Sequence, residues 1–426
     1  MPGLARVTIE KKNGALGGVV PSNDGESMLI VGVLGFAGTF TSEAGIEALT
    51  NNPIDVSAFK SYTTLQEFLD INPNTDADYG YLFHHHVRKY FEASSNKLHI
   101  FTIDRATTFL QLFTVGNANN IALKNYMQAQ NGSIKLIGFA QNPTYVETFP
   151  HGLNSDTYAV ITAAQAFVEF EFQEGRPCHI LLEGRGVNFN SGTANLRNRA
   201  AAGVSVVAWQ NKDIATSLTP LPSSGITFVT DITKYAEVGY TLGLLSAQPV
   251  MRNIGRVQNG KLSYSDKIAT SGGTLIENIS KANRDAAADK GYIFAVRHPQ
   301  NDGYFISDDP TCAAITDDFA WITRNRTMNK AASITRRVYT QRILDEVYTD
   351  PDTGKLSALT VKNFESEVEQ AINFEMVRLG ECTAVIAKVN PAQDVIITGE
   401  IVIELRIIPV GHARYITAKI GYATKI

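Results

Sequence analysis

The sequence predicts an α/β protein of mixed α+β character, divided among several domains and ending at both termini in strand-like arms. Three observations predict it. Strand-like and helical runs alternate between Ile134 and Ala247, as crossover units of a largely parallel sheet do. The run Met28-Leu29-Ile30-Val31-Gly32-Val33-Leu34-Gly35 is continuously apolar, the mark of a strand buried on both faces. Residues 394–426 read as two strands joined at a proline, alternating with a period of two over Ile401–Ile408 and again at Ile416, Ala418 and Ile420, which places one apolar row on one face of a sheet.

At 426 residues the chain exceeds the roughly 250–300 residues at which a single core stops growing. The expected division is an N-terminal arm (1–20), the first part of an α/β core (21–130), a middle, outer α/β domain (131–260), a C-terminal inner domain (261–410) and a C-terminal strand arm (411–426). A net charge of −4 supplies no basic field for nucleic acid or membrane. Cys178, Cys312 and Cys382 are odd in number and far apart, so they are expected to be buried free thiols rather than a disulfide framework or metal site. No apolar run reaches the roughly 18 residues of a membrane span, and Met1-Pro2-Gly3 does not open a signal peptide. Synthesis and residence in the cytoplasm are expected.

In chain order, Ala5, Val7 and Ile9 alternate with polar residues before the tether Asn13-Gly14-Ala15-Leu16-Gly17-Gly18. This stretch is either an edge strand or frayed end of its own subunit, or an arm that reaches a neighbour. Gly32, Gly35 and Gly38 do not have the spacing of a dinucleotide fingerprint. Thr64 and Glu67 form a capping box for a short helix. A helix from Leu82 to Phe91 carries Phe83, Val87, Tyr90 and Phe91 at helical spacing. Its His84-His85-His86 tract is expected to face solvent or a partner, because adjacent helical residues point about 100° apart and cannot chelate together. Leu98 to Ile103 returns as a strand.

Strands are expected at Ile134–Phe139, His179–Glu183 and Val204–Trp209, with helices at Tyr158–Phe172, Asn195–Ala202 and Ile232–Ser246. Sheets of this kind often carry active sites, yet no nucleophile elbow, phosphate loop or zinc motif occurs. Arg185, between Gly184 and Gly186, is expected on a solvated turn, with anion binding as the alternative. Val257–Thr274 is expected to be a loop, Leu275–Ala288 a helix, and Gly291–Val296 and Gly303–Ile306 strands. Asp308-Asp309-Pro310 suits the first turn of a helix. With Asp317 and Asp318 these aspartates suggest caps and a solvated face rather than a calcium loop.

Arg324 to Tyr348 is a basic stretch. Val361, Phe364, Val368, Ile372 and Leu379 line one face of a following helix that ends at Gly380, and Glu365, Glu367, Glu369 and Glu375 lie on its outer face. These are either two solvated faces or complementary contact patches between subunits, with Arg336, Arg337, Glu365 and Glu369 as the candidate residues. Ile401, Ile403, Leu405 and Ile407 form a strand row; after Pro409-Val410-Gly411 the alternation resumes around Tyr415 and Ile416 and runs on to Ala418 and Ile420. An edge strand at the end of the chain is a template for pairing with another copy. Val7, Ile9, Tyr415, Ile416 and Ile420 are therefore the candidate inter-subunit arm residues.

Several segments together resemble the sheath proteins of contractile phage tails and phage-derived injection systems. They are Lys60-Ser61-Tyr62-Thr63-Thr64-Leu65-Gln66-Glu67-Phe68-Leu69, Tyr79–Phe91, Leu98–Ile103, Gly291–Arg297, Ile334-Thr335-Arg336-Arg337-Val338-Tyr339 and Ile408-Pro409-Val410-Gly411-His412-Ala413-Arg414-Tyr415-Ile416. Ala93-Ser94-Ser95-Asn96-Lys97 and Ala295-Val296-Arg297-His298 depart from the family pattern. The resemblance implies a sheath-like multidomain fold and a structural, non-enzymatic subunit without cofactors. It implies a helical homo-oligomer of stacked, hexameric rings around an inner tail tube, with baseplate and terminator proteins as further partners and no direct nucleic-acid contact. The setting it implies is a virion tail or contractile particle assembled in the cytoplasm. An α/β enzyme and a tail-tube or baseplate protein are the alternatives.

Overall fold

The computed structural model describes residues 23–33, 59–71, 82–213, 232–264, 267–418 and 420. The chain divides into two compact units, Met1–Leu344 and Asp345–Ile426.

The first unit is built on one sheet. Its strands are β1 (Ser27–Val33), β2 (Phe59–Tyr62), β3 (Leu98–Asp104), β4 (Leu136–Ala140), β5 (His179–Glu183), β6 (Val204–Val207) and, further on, β9 (Tyr292–Ile293). They lie in the order β2-β3-β1-β4-β5-β6-β9. Every pairing is parallel except that of β2 with β3. The five strands β3-β1-β4-β5-β6 form a doubly wound arrangement whose order reverses between β1 and β4. Their apolar runs are buried throughout, from Met28–Val31 on β1 to Ile180–Leu182 on β5, as a parallel sheet covered on both faces requires. Small two-stranded sheets pair β7 (Trp209–Asn211) with β8 (Ile268–Thr270) and β10 (Ala295–Val296) with β11 (Phe305–Ile306). The boundaries expected near residues 130 and 260 fall within this unit, where β4 pairs directly with β1.

The helices of the unit are α1 (Leu65–Ile71), α2 (Phe83–Ala93), α3 (Phe109–Phe113), α4 (Ala118–Ala129), α5 (Ser155–Gln173), α6 (Val238–Ala247), α7 (Lys281–Asp289) and α8 (Ile322–Thr340). Thr64 Oγ1 accepts from the Glu67 N–H at the start of α1, while the Glu67 carboxylate reaches back to Thr63. The expected helix around Asn195–Ala202 is a single 3-10 turn, Leu196–Arg199. Helix α8 starts later than the Asp308-Asp309-Pro310 signal suggested. Asp309 lies upstream of it and caps it from a distance, its carboxylate accepting from the Thr323 N–H at 2.8 Å.

Packing of α6 on α2 decides the character of the interior. A Cβ at Gly239 would stand 2.2 Å from the His86 carbonyl oxygen, and one at Gly243 would stand 2.7 Å from that of Tyr90. The two helices touch backbone to backbone because these positions carry no side chain. The His84-His85-His86 tract is consequently buried, not solvated as its polarity suggested.

The second unit packs α9 (Ala358–Ile372) on an antiparallel pair, β12 (Cys382–Val389) and β13 (Ile403–Pro409), joined through the short helix α10 (Val395–Thr398). Ser357 caps α9 by accepting from the Thr360 N–H. The helix widens into a π-turn over Asn373–Val377, and Gly380, at φ +72°, turns the chain into β12. Leu356, Val361 and Val389 form the core, with Val347, Phe364, Val395, Ile401 and Ile403 packed around them.

Candidate functional site

Two places can carry function: the carboxyl ends of the parallel strands and the edge of the two-stranded sheet. The first is where doubly wound folds bind ligands. Here hydrogen bonds tie the carboxyl ends of β1 and β4 together. The Asn142 amide donates to the Gly32 carbonyl at 3.0 Å, and buried Arg105 donates from Nε to the Asn142 carbonyl at 2.6 Å.

Beside it, Arg185 is fully buried rather than on a solvated turn. Its guanidinium binds Glu147 through Nε (2.7 Å) and Nη2 (3.0 Å), reaches the Gln141 carbonyl at 3.2 Å and stands 3.5 Å from Glu183. Its flanking glycines permit close packing: a Cβ at Gly186, where φ is +69°, would meet the Phe149 ring at 2.2 Å. Burial pushes the Glu183 carboxyl up to about 7, against the opposing pull of Arg185 and of the Ala236 and Gln141 N–H groups.

The histidine tract ends in the same kind of internal pairing. The two Glu237 carboxylate oxygens lie 2.9 and 3.0 Å from His85 Nε2, and Tyr235 donates to the same carboxylate. Burial alone would raise the Glu237 carboxyl, but the charge and hydrogen bond of His85 hold it at about 2. His86 is pushed down to about 3 by burial and by neighbouring His85. His84 packs edge-on against Phe68 and Phe83. Among the described residues no group of three His, Cys, Asp or Glu side chains could hold a metal ion, and no helix is long and apolar enough to cross a membrane. Cys178, Cys312 and Cys382 are free and buried. An open groove of about 530 Å³ lies elsewhere, along Glu277, Arg284 and residues 297–302. Within it Arg297 and Glu277 form a 2.9 Å ion pair, while Asp302 pairs with Lys261 and Arg284 donates to the Ile276 carbonyl.

The second place is the two-stranded sheet of β12 and β13, whose strands are unequally covered. Val385, Ala387 and Val389 of β12 point toward α9 and are buried; opposite them in register stand Ile407, Leu405 and Ile403 of β13, all only half-buried. Residues at one register on one face of a sheet share one environment, unless the outer strand lacks a neighbour. The outer face adds exposed Ile386, Val402 and Ile408.

The two edges differ. On β12, the Ala387 N–H donates to Glu369 at 2.7 Å and the Val389 N–H to Glu365 at 3.1 Å. Because these N–H groups point away from β13, those of their register partners Leu405 and Ile403 point away from β12, toward the outer edge. No side chain among the described residues guards that edge as Glu365 and Glu369 guard β12.

Beyond Pro409 no second strand is present among the described residues. Residues 411–418 pair with no strand, and Tyr415, Ile416 and Ile420 are 89%, 84% and 96% exposed. A strand has no hydrogen bonds of its own and needs a neighbour to exist. Val7 and Ile9 lie outside the described residues. Arg336 is engaged within its own unit: it donates to the Gln173 and Phe172 carbonyls at 3.0 and 3.1 Å, capping the end of α5, while Arg337 is exposed.

The asymmetry of the edges was not visible in the sequence, since the glutamates lie 18 and 24 residues from the N–H groups they bind. The only available signal was their four-residue spacing.

The chain was compared with known proteins. The pattern of the DUF2586 N-terminal domain matches residues 4–310, and that of the DUF2586 C-terminal domain matches residues 318–426. No curated protein matches the sequence. Among solved structures, a chain of the contracted helical sheath of the anti-feeding prophage superposes with a TM-score of 0.59 at 15% identity, over 99% of this chain and 100% of that one. A chain of the 6-fold symmetrised baseplate of the same particle gives 0.59 at 15%, with complete coverage of both. A chain of the contracted sheath complex of PVC, an extracellular contractile injection system, gives 0.56 at 11%, over 100% of this chain and 99% of that one. The fold is therefore one shared with chains of these contractile sheaths, mixed α/β as the sequence predicted.

Proposed function

The chain belongs to the DUF2586 family, and from that premise and the shared fold we propose that it is the subunit of a contractile sheath. Subunits polymerise as hexameric rings stacked in a helix around an inner tube, and contraction of the polymer drives the tube through a target envelope. The observation that carries this reading is a match between two parts of one chain. Among the described residues no strand pairs with the outer edge of β13, and residues 411–418 have a strand's alternation but belong to no strand. Main-chain pairing of one copy's arm with the next copy's sheet links subunits that slide during contraction, because a ladder of N–H to C=O bonds holds whatever the domains around it do.

The N-terminal arm with Val7 and Ile9 enters the proposal as a second linker. The charged faces enter it as contacts that set register, through Arg337 and the remaining lone pairs of Glu365 and Glu369; Arg336 is partly occupied at the end of α5. The subunit is non-enzymatic in this reading. It acts in a virion tail or related particle assembled in the cytoplasm, with tube, baseplate and terminator proteins as partners. Electron microscopy of the purified full chain tests this reading. Tubes or helically stacked rings are expected; a discrete small oligomer under all assembly conditions would overturn it, and planar rings alone would favour a tube or baseplate role.

A further inference from the structure

Helix α9 and strand β12 run alongside each other so that Glu369 meets Ala387 and Glu365 meets Val389. Four residues of helix rise about 6 Å, and two residues of strand advance about 6.6 Å. The match lets two carboxylates one helical turn apart take two successive outward N–H groups of the strand. Lys362 Nζ, 2.6 Å from the second oxygen of Glu365, holds that carboxylate in place.

We propose that Glu365 and Glu369 are edge guards that close β12 to strand addition, so that the two-stranded sheet accepts a neighbour's segment 411–420 on β13 alone. An incoming strand at β12 would have to displace both carboxylates from the N–H groups it needs. It would also bring its own carbonyl oxygens against two anions. Inward-reaching charge is one of the ways natural sheets protect an edge. At β13 no carboxylate among the described residues meets the corresponding donors, and the half-buried Ile403, Leu405 and Ile407 provide an apolar ledge for the added strand. The occupant is a second copy's arm, whose exposed Ile416 and Ile420 supply the matching apolar row. The guards thus make a sheet that grows in one direction and stops. The inference rests on the sheath reading for its consequence in the polymer, whereas the guard geometry stands within one chain.

The test uses the full chain as wild type, as E365A/E369A, and as E365Q/E369Q, which keeps an acceptor oxygen at both positions. Hydrogen exchange in the unassembled chain reads the Ala387 and Val389 amides. These should exchange slowly in the wild type, about tenfold or more faster in the alanine variant as one hydrogen bond is lost at each site, and slowly again in the glutamine variant. Electron microscopy and pelleting read assembly. The alanine variant should give bundled or irregular aggregates in place of separate tubes, and the glutamine variant should restore tubes. Unchanged exchange at the two amides would overturn the proposal, as would an alanine variant that builds the same tubes at the same concentration. If the wild type formed no tubes the sheath reading would fall, and the exchange at Ala387 and Val389 would still decide whether the guards exist.

Discussion

Ile416→Asp separates a residue of the chain's own core from a residue of the polymer. In the isolated chain Ile416 is 84% exposed and belongs to no strand, so the substitution should change unfolding stability by no more than about 0.5 kcal/mol. In the polymer proposed above the same side chain would lie on the ledge of a neighbour's sheet. Losing a buried isoleucine there costs about 1.5–3 kcal/mol, and a carboxylate set among apolar groups adds a desolvation penalty. A total of about 3 kcal/mol per joint raises the assembly threshold roughly 150-fold. The assay pairs thermal or urea melting of the unassembled chain with pelleting across a concentration series. Unchanged melting with a threshold raised by two orders of magnitude is the expected result. A lowered melting point would show that the arm belongs to its own subunit's core, and an unchanged threshold would show that it joins nothing; either refutes the reasoning.

Three further outcomes follow from the interior. Gly239→Ala gains about 1 kcal/mol of helix propensity, but its Cβ would press to 2.2 Å from the His86 carbonyl oxygen, where no flexible side chain can give way. Overpacking against backbone wins, and urea titration should show a net loss of about 2 kcal/mol, whereas Gly411→Ala, with nothing within 4 Å, should be silent. Arg185→Met strips Glu147 and Glu183 of their buried partner and should cost about 3–5 kcal/mol in the same titration. For pH dependence, burial pushes the Glu26 carboxyl up, but the hydrogen bond and charge of His99, with Lys97, hold it at about 2, below the ordinary 4.5. A depressed folded value stabilises the fold fully above the ordinary carboxylate range and is lost as pH falls toward 2. Glu26→Gln should therefore flatten the decline in stability between pH 4.5 and pH 2, and a variant whose acid limb is as steep as the wild type's would refute the assignment.

The sequence by itself determined the elements whose causes are local. Continuous apolar runs at Met28–Val31 and Ile180–Leu182 can only be satisfied by a sheet covered on both faces, and they became β1 and β5. Ser357 set the start of α9 and Gly380 the turn into β12. The alternation after Pro409 marked a segment with strand character. The tertiary structure decided everything that depends on what approaches from far along the chain. His84-His85-His86 is polar in the sequence and buried in the fold, because Gly239 and Gly243 let α6 press against it and Glu237 arrives to meet His85. Arg185 sits between two glycines, the signature of a solvated loop, yet packs inward because Glu147 and Glu183 converge on it. Which edge of the β12–β13 sheet stays open was likewise beyond the sequence. A period of two says that a strand has two faces, but only the position of α9 determines which strand has its outward N–H groups taken by Glu365 and Glu369.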